Sequence, residues 1–299
     1  MKKTALIILM ALMGAVGMAQ THDAESETYS FSIGKIKDKV RLSDVDQNIP
    51  VTRSLNDKTF VVIFANEKYQ KEQPVPFAIH DGEVFKEYCI KTLGIPEKNV
   101  RYQANATLNN MKFEVEWLKN TLIAHRGEAK GIVYYSGHGV PKESNLNSYL
   151  LPIDGYASEA ESGYSLDKLY AELGETGATS VTYFIDACFS GANRRGEMLE
   201  ENKGVVVNSK AGTMKGNAVV FSAAQGDETA YVYQDKSHGM FTYFLLKKLQ
   251  ETQGNVNYGD LDKYITDKVS RLSLVENSKS QTPMASSTIP DWKKLKFNK

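Results

Sequence analysis

Four apolar runs constrain this 299-residue chain more than anything else in it: TFVVIFA (59–65), KGIVYYS (130–136), SVTYFID (180–186) and NAVVFSA (217–223). Each is rich in β-branched and aromatic residues and lacks the polar alternation of a strand with one wet face. Such strands are buried on both sides, so helices must cover both faces of the sheet they build. Helical patterns lie between them. One runs from about Phe77 to Leu93 and stops at Gly94, with Pro96 just beyond. Another covers about Asn109 to His125, with Met111, Val115, Leu118 and Leu122 at helical spacing. Further helices are predicted near 165–173, 239–251 and 258–272, and a short strand near 100–103. The alternation predicts an α/β fold with a mostly parallel central sheet.

The chain begins MKKTALIILMALMGAVGMAQ. A basic start, an apolar stretch shorter than a membrane span and small residues before Gln20 predict a signal peptide over 1–19, and hence export. A retained N-terminal anchor is the alternative. Residues 20–57 are polar and weakly periodic, and read as an arm or pro-segment. The main domain is expected over 58–275, with a long loop at about 191–217 and a polar C-terminal tail at 276–299. Without Lys2 and Lys3 the balance is 34 basic to 36 acidic residues. Near-neutral charge leaves no electrostatic footprint for nucleic acid or an anionic membrane.

Two of the strands run into chemically loaded loops. IVYYS leads into Gly137-His138-Gly139, and VTYFID leads into Ala187-Cys188-Phe189-Ser190-Gly191. Ligands of open parallel sheets bind beyond the carboxyl ends of the strands. Parallel neighbours would set an imidazole and a thiol at one edge of the sheet. A cysteine is nucleophilic as the thiolate, and a histidine supplies the base or the stabilising cation. The backbone N–H groups of Gly139 and Cys188 are candidates for an oxyanion site. Cys89 and Cys188 are the only cysteines, so a disulfide between them is the competing reading for an exported chain. Cys89 falls on an apolar helical face with Phe85, where packing is the alternative role. His80, His125 and His238 lack metal-ligand spacing, no phosphate loop or twelve-residue calcium loop occurs, and no metal or cofactor is expected.

YYSGHG (134–139) and DACFSG (186–191) resemble the histidine and cysteine motifs of the caspase-like cysteine peptidases, a group that includes caspases, metacaspases and gingipain-type proteases. His138 and Cys188 stand 50 residues apart, as in caspases. The resemblance covers about 58–250 and takes in VVIFANEKY, Ile79-His80-Asp81, FSAAQGDETAYVY and HGMFTYFLL. It implies a three-layer α/β/α sandwich and a cysteine endopeptidase acting through His138 and Cys188 on peptide or protein substrates. Two arginines and a glutamine select aspartate in caspases; their positions fall here on Val75, Val232 and Asp186. The chain resembles metacaspases more closely, which implies that Asp81, Asp186 and Ser136 hold a substrate Arg or Lys. Ala230 and Tyr231 would form the wall along which a substrate strand is added. Self-processing in the long loop is expected at Arg194, Arg195, Lys203, Lys210 or Lys215, with Lys35, Lys37, Lys39 and Arg41 as similar sites in the arm. Calcium dependence, known in some metacaspases, has no sequence signature here. The alternative from another class is a catalytically silent caspase-like binding or regulatory module.

Overall fold

A computed structural model of the chain describes residues 40–142, 144–145, 147–190 and 212–297. The expected signal peptide, most of the arm, and Arg194, Arg195, Lys203 and Lys210 lie outside these residues. In chain order the elements are β1 (Thr59–Ala65), α1 (Ala78–Glu87), β2 (Val100–Ala104), α2 (Leu108–Ala124), β3 (Lys130–Ser136), β4 (Gly139–Pro141) and β5 (Ser148–Leu150). There follow β6 (Tyr164–Ser165), α3 (Leu166–Gly174), β7 (Ser180–Asp186), β8 (Ala218–Ser222), β9 (Val232–Tyr233) and β10 (His238–Gly239). The last are α4 (Met240–Thr252), α5 (Tyr258–Asn277) and β11 (Met284–Ser287).

The apolar runs form one six-stranded sheet in the order β11-β8-β7-β3-β1-β2, parallel throughout except for β11. Side chains alternate across it. Val61 and Ile63 of β1 pack toward α1, α4 and α5, whereas Phe60, Val62 and Phe64 pack toward α2 and α3. This two-sided burial is why the runs carry no polar alternation. Helix starts are fixed locally. Thr107 and Asn110 form a reciprocal capping box on α2, and Ser165 and Asn257 accept N–H bonds at the starts of α3 and α5. The helical run expected to end at Leu93 is α-helical to Glu87 and continues as a π-type turn over Tyr88–Thr92.

Two segments do more than their polarity suggests. Residues 276–299, expected as a polar tail, supply edge strand β11 and the buried Phe297, whose ring lies 6.0 Å from Phe184 and 5.1 Å from Tyr258. The described part of the arm is docked on the domain rather than detached from it. Val45 is fully buried and its carbonyl accepts from Tyr88 Oη at 2.9 Å, and Pro50 O accepts from Thr92 Oγ1 at 2.8 Å. Among the described residues no helix is long and apolar enough to cross a membrane.

Candidate active site

Strands β3 and β7 are parallel neighbours, and Ser136 is in register with Asp186. His138 and Cys188 therefore leave the sheet two residues beyond the same rung, on the same edge. The bond from Gly137 N–H to Asp186 O, 3.2 Å, carries the pairing past the strand ends. The two loops touch: a Cβ built on Gly139 would sit 2.5 Å from the Phe189 ring and 2.7 Å from Cys188 O. Only glycine permits this approach.

The imidazole is held from several sides. Tyr69 Oη accepts from His138 N–H at 2.8 Å, and His138 O accepts from Tyr135 Oη at 2.6 Å and from Leu151 N–H at 2.9 Å. The Tyr69 ring packs 4.6 Å from the imidazole. Nε2 lies 2.7 Å from Gln73 O. A carbonyl only accepts, so Nε2 carries the proton and Nδ1 is the nitrogen for proton exchange. Gln73 acts through its backbone, which gives no side-chain signature to read in the sequence.

Gly139 pairs with Leu150 of β5. The ladder bond falls on the preceding residue, from Leu151 N–H to His138 O, and antiparallel alternation turns Gly139 N–H to the side away from β5. Both cysteines are free thiols, which removes the disulfide reading. Cys89 is wholly buried, and burial pushes its thiol far above the ordinary range, so it packs as a small hydrophobe. His138 and Cys188 are themselves 1% and 2% exposed.

If the glycine serves the approach of the two loops, Gly139→Ala should lower kcat/KM by about 100-fold, the scale of a one-ångström misplacement. Circular dichroism should remain native, because the clash falls on the loop bearing Phe189 rather than on the sheet.

Both carboxylates expected at the site have partners within the protein. Asp81 is fully buried. Its Oδ1 accepts from His238 Nδ1 at 2.8 Å, both oxygens accept from Gly239 N–H at 3.2 Å, and Ser136 Oγ donates to Oδ2 at 3.3 Å. Asp186 Oδ2 accepts from Thr242 Oγ1 at 2.6 Å and Thr242 N–H at 3.3 Å. The two acids thus cap the start of α4, where a helix presents unpaired N–H groups. The chain enters α1, which carries Asp81, through Phe77 in the left-handed region at φ +65°. Val75 is buried and Val232 half-buried, so the two positions where caspases place arginines carry apolar side chains.

Part of the expected substrate wall is engaged within the protein. Tyr231 N–H donates to Gln281 Oε1 at 2.9 Å and Tyr231 O accepts from Met240 N–H at 2.9 Å. Its backbone is committed within the protein, Ala230 is fully buried, and Val232 pairs with Gly239 of β10. Lys215 alone of the expected loop cleavage sites is described, exposed just before β8. Arg41 donates its N–H to Ser237 Oγ at 2.9 Å.

One group of residues was missed altogether. Asp46 of the arm, His80 of α1 and His238 of β10 lie together, with Asp46 Oδ1 3.0 Å from His238 Nε2 and 3.1 Å from His80 Nε2. The two imidazoles stack at 4.6 Å. Burial opposes charge on His238, but the carboxylates of Asp46 and Asp81 on its two nitrogens outweigh it and lift its pKa to about 9. Sequence spacing hid this cluster, because Asp46 and His238 are 192 residues apart.

The Caspase domain family model matches residues 58–292. Protein GSU0716 from Geobacter sulfurreducens shares the fold with a TM-score of 0.59 and 18% identity, over 81% of this chain and 98% of that one. Caspase-1 from Spodoptera frugiperda does so with a TM-score of 0.57 and 16% identity, over 87% of this chain and 98% of its own. No curated protein matches the sequence. With a caspase-like sheet, paired histidine and cysteine loops and a family match over most of its length, the chain belongs to the caspase-domain family of cysteine peptidases.

Proposed function

We propose that the protein is a cysteine endopeptidase, exported by its signal peptide and cleaving after Arg or Lys. The observation that carries the enzymatic reading is the anchored imidazole. Gln73 O fixes Nε2 as the protonated nitrogen, and β3 and β7 deliver His138 and Cys188 to one rung at one edge. Cys188 gives its thiol proton to His138 Nδ1 and its Sγ attacks the scissile carbonyl carbon, while the C=O electron pair moves onto the oxygen beside the N–H groups of Gly139 and Cys188. As the tetrahedral intermediate collapses, the C–N bond breaks and His138 Nδ1 gives its proton to the leaving amine. Water then attacks the thioester and loses its proton to Nδ1, and the acid product and Cys188 are released. Because both residues are buried and Phe189 lies against Gly139, a peptide enters by displacing the loop that bears Phe189.

The basic preference rests on charge. Val75 and Val232 offer an acidic side chain no cation, whereas Asp186 ends the strand that leads to Cys188 and Asp81 accepts from Ser136 of the strand that leads to His138. A guanidinium or ammonium complements such a wall, and a carboxylate is repelled by it. Asp186 is the nearer candidate for direct contact, since Asp81 is engaged by His238. Maturation at Lys215 is consistent with the same preference.

The test is hydrolysis of fluorogenic peptides ending in Arg, Lys or Asp by the full chain and by Cys188→Ala, with and without calcium. Cleavage after Arg or Lys, at least about 1000-fold weaker in the variant, is the expected result. Cleavage after Asp would retain the dyad and reject the acidic wall. Failure to cleave any peptide, together with failure of Cys188 to react with a peptidyl electrophile, would favour a silent binding module instead.

A further inference from the structure

We propose that Asp46, His80 and His238 form a binding site for one divalent transition-metal ion of the zinc class, joining the arm to the start of α4. Three different segments supply the donors, and all lie among the described residues. The donor atoms lie within 4.8 Å of one another, with the two contacts to Asp46 Oδ1 at 3.0 and 3.1 Å. Ligands about 2.0–2.2 Å from a tetrahedral zinc ion are about 3.2–3.5 Å apart, so the site needs little expansion to accept one.

Two features distinguish the cluster from a simple buried ion pair. First, the outer contacts already match those of a metal-binding histidine. His238 Nδ1 is held by the Asp81 carboxylate at 2.8 Å, the arrangement that aims the opposite nitrogen at an ion. Asp46 is oriented in the same way: Ser43 N–H donates to Oδ2 at 2.5 Å, which turns Oδ1 toward both imidazoles. Secondly, His80 Nε2 is buried 3.1 Å from that oxygen, close enough for an ion pair but without the alignment of a hydrogen bond. A buried ring nitrogen so placed gains a well-aligned partner once an ion sits between the two groups.

Two imidazoles and one carboxylate suit zinc, cobalt or nickel. Calcium and magnesium require more oxygen donors than the cluster provides. The His80 side chain is 11% exposed, against 2% for Asp46 and none for His238, so solvent reaches the fourth position from the His80 side.

The experiment uses the full chain, stripped with a chelator and titrated calorimetrically with zinc ion, with cobalt ion as the spectroscopic probe. One ion should bind per chain and raise Tm. Cobalt should give the visible d–d absorption of a four-coordinate centre, without a thiolate charge-transfer band. His80→Ala and Asp46→Asn should each weaken binding at least about 10-fold and abolish the Tm rise. His125→Ala and Cys188→Ala should bind as the parent does. The proposal is overturned by the absence of stoichiometric binding, by binding that survives both His80→Ala and Asp46→Asn, or by binding lost in Cys188→Ala, which would place the ion on the peptidase dyad. The readouts do not require peptidase activity, so this inference and the proposed function fail separately.

Discussion

His138→Ala is expected to lower kcat/KM on the best basic peptide by about 1000-fold or more, the largest loss of any single change outside Cys188 itself. The imidazole is asked for three proton transfers, from the thiol, to the leaving amine and from water. Its geometry is fixed before substrate arrives. Nε2 is committed to Gln73 O at 2.7 Å, Tyr69 flanks the ring, and the backbone on either side is bonded to Tyr69 and Tyr135. An imidazole so restrained needs no reorientation as the reaction proceeds, which is where positioned acid–base groups gain their advantage.

The variant will also lose some stability, because Gln73 O is left without its donor. Gln73 is exposed, so water can take the donor's place and the loss is about 0.5–1.5 kcal/mol, the net worth of one hydrogen bond. The assay should therefore be run well below the lowered Tm. A clean result is lost turnover with native circular dichroism and a Cys188 thiol that still accepts a small alkylating reagent more slowly than in the parent. Retained turnover in His138→Ala would remove the dyad. His238 would not inherit the role, since its two nitrogens are bonded to Asp46 and Asp81.

The parts of the molecule that the sequence made legible are those where local pattern and burial agree. β1, β3, β7 and β8 are covered on both faces, so their residues are apolar without interruption and the runs mark them. His138 and Cys188 were legible because each follows such a run and glycines stand beside them. β11 was not, because Met284–Ser287 lies at the sheet edge, where four residues, two of them serine, suffice once β8 provides the pairing. The docking of the arm was not legible for a related reason. Its contacts run through the backbone carbonyls of Val45 and Pro50 and the carboxylates of Asp44 and Asp46, so no apolar periodicity announces them. Asp81 was legible as a carboxylate of the site, but its principal partner, His238, becomes a neighbour only when α4 docks beside α1.

Asp81→Ala separates these two views of that carboxylate. An acid lining an open specificity pocket could be removed with little effect on stability, and the loss would appear in KM for basic peptides. Asp81 is instead wholly buried and accepts from His238, Gly239 and Ser136. Its removal leaves a charged imidazole with half of its compensation and the N–H of Gly239, just before α4, without an acceptor. Breaking a buried pair from one side costs about 3–5 kcal/mol. For a domain of this size each kcal/mol is worth about 2–4 °C, so Tm should fall by roughly 6–20 °C. Asp81→Asn should lose less, because the amide oxygen can still accept from Gly239 N–H. Asp186→Asn is the companion measurement. Its Oδ2 bonds to Thr242 can pass to an amide oxygen, so its stability should change less while its discrimination between Arg and Asp peptides collapses. If Asp81→Ala were as stable as the parent but selectively blind to Arg, the roles would be reversed. Asp81 would then be the acceptor that reads the substrate, and His238 a removable plug above it.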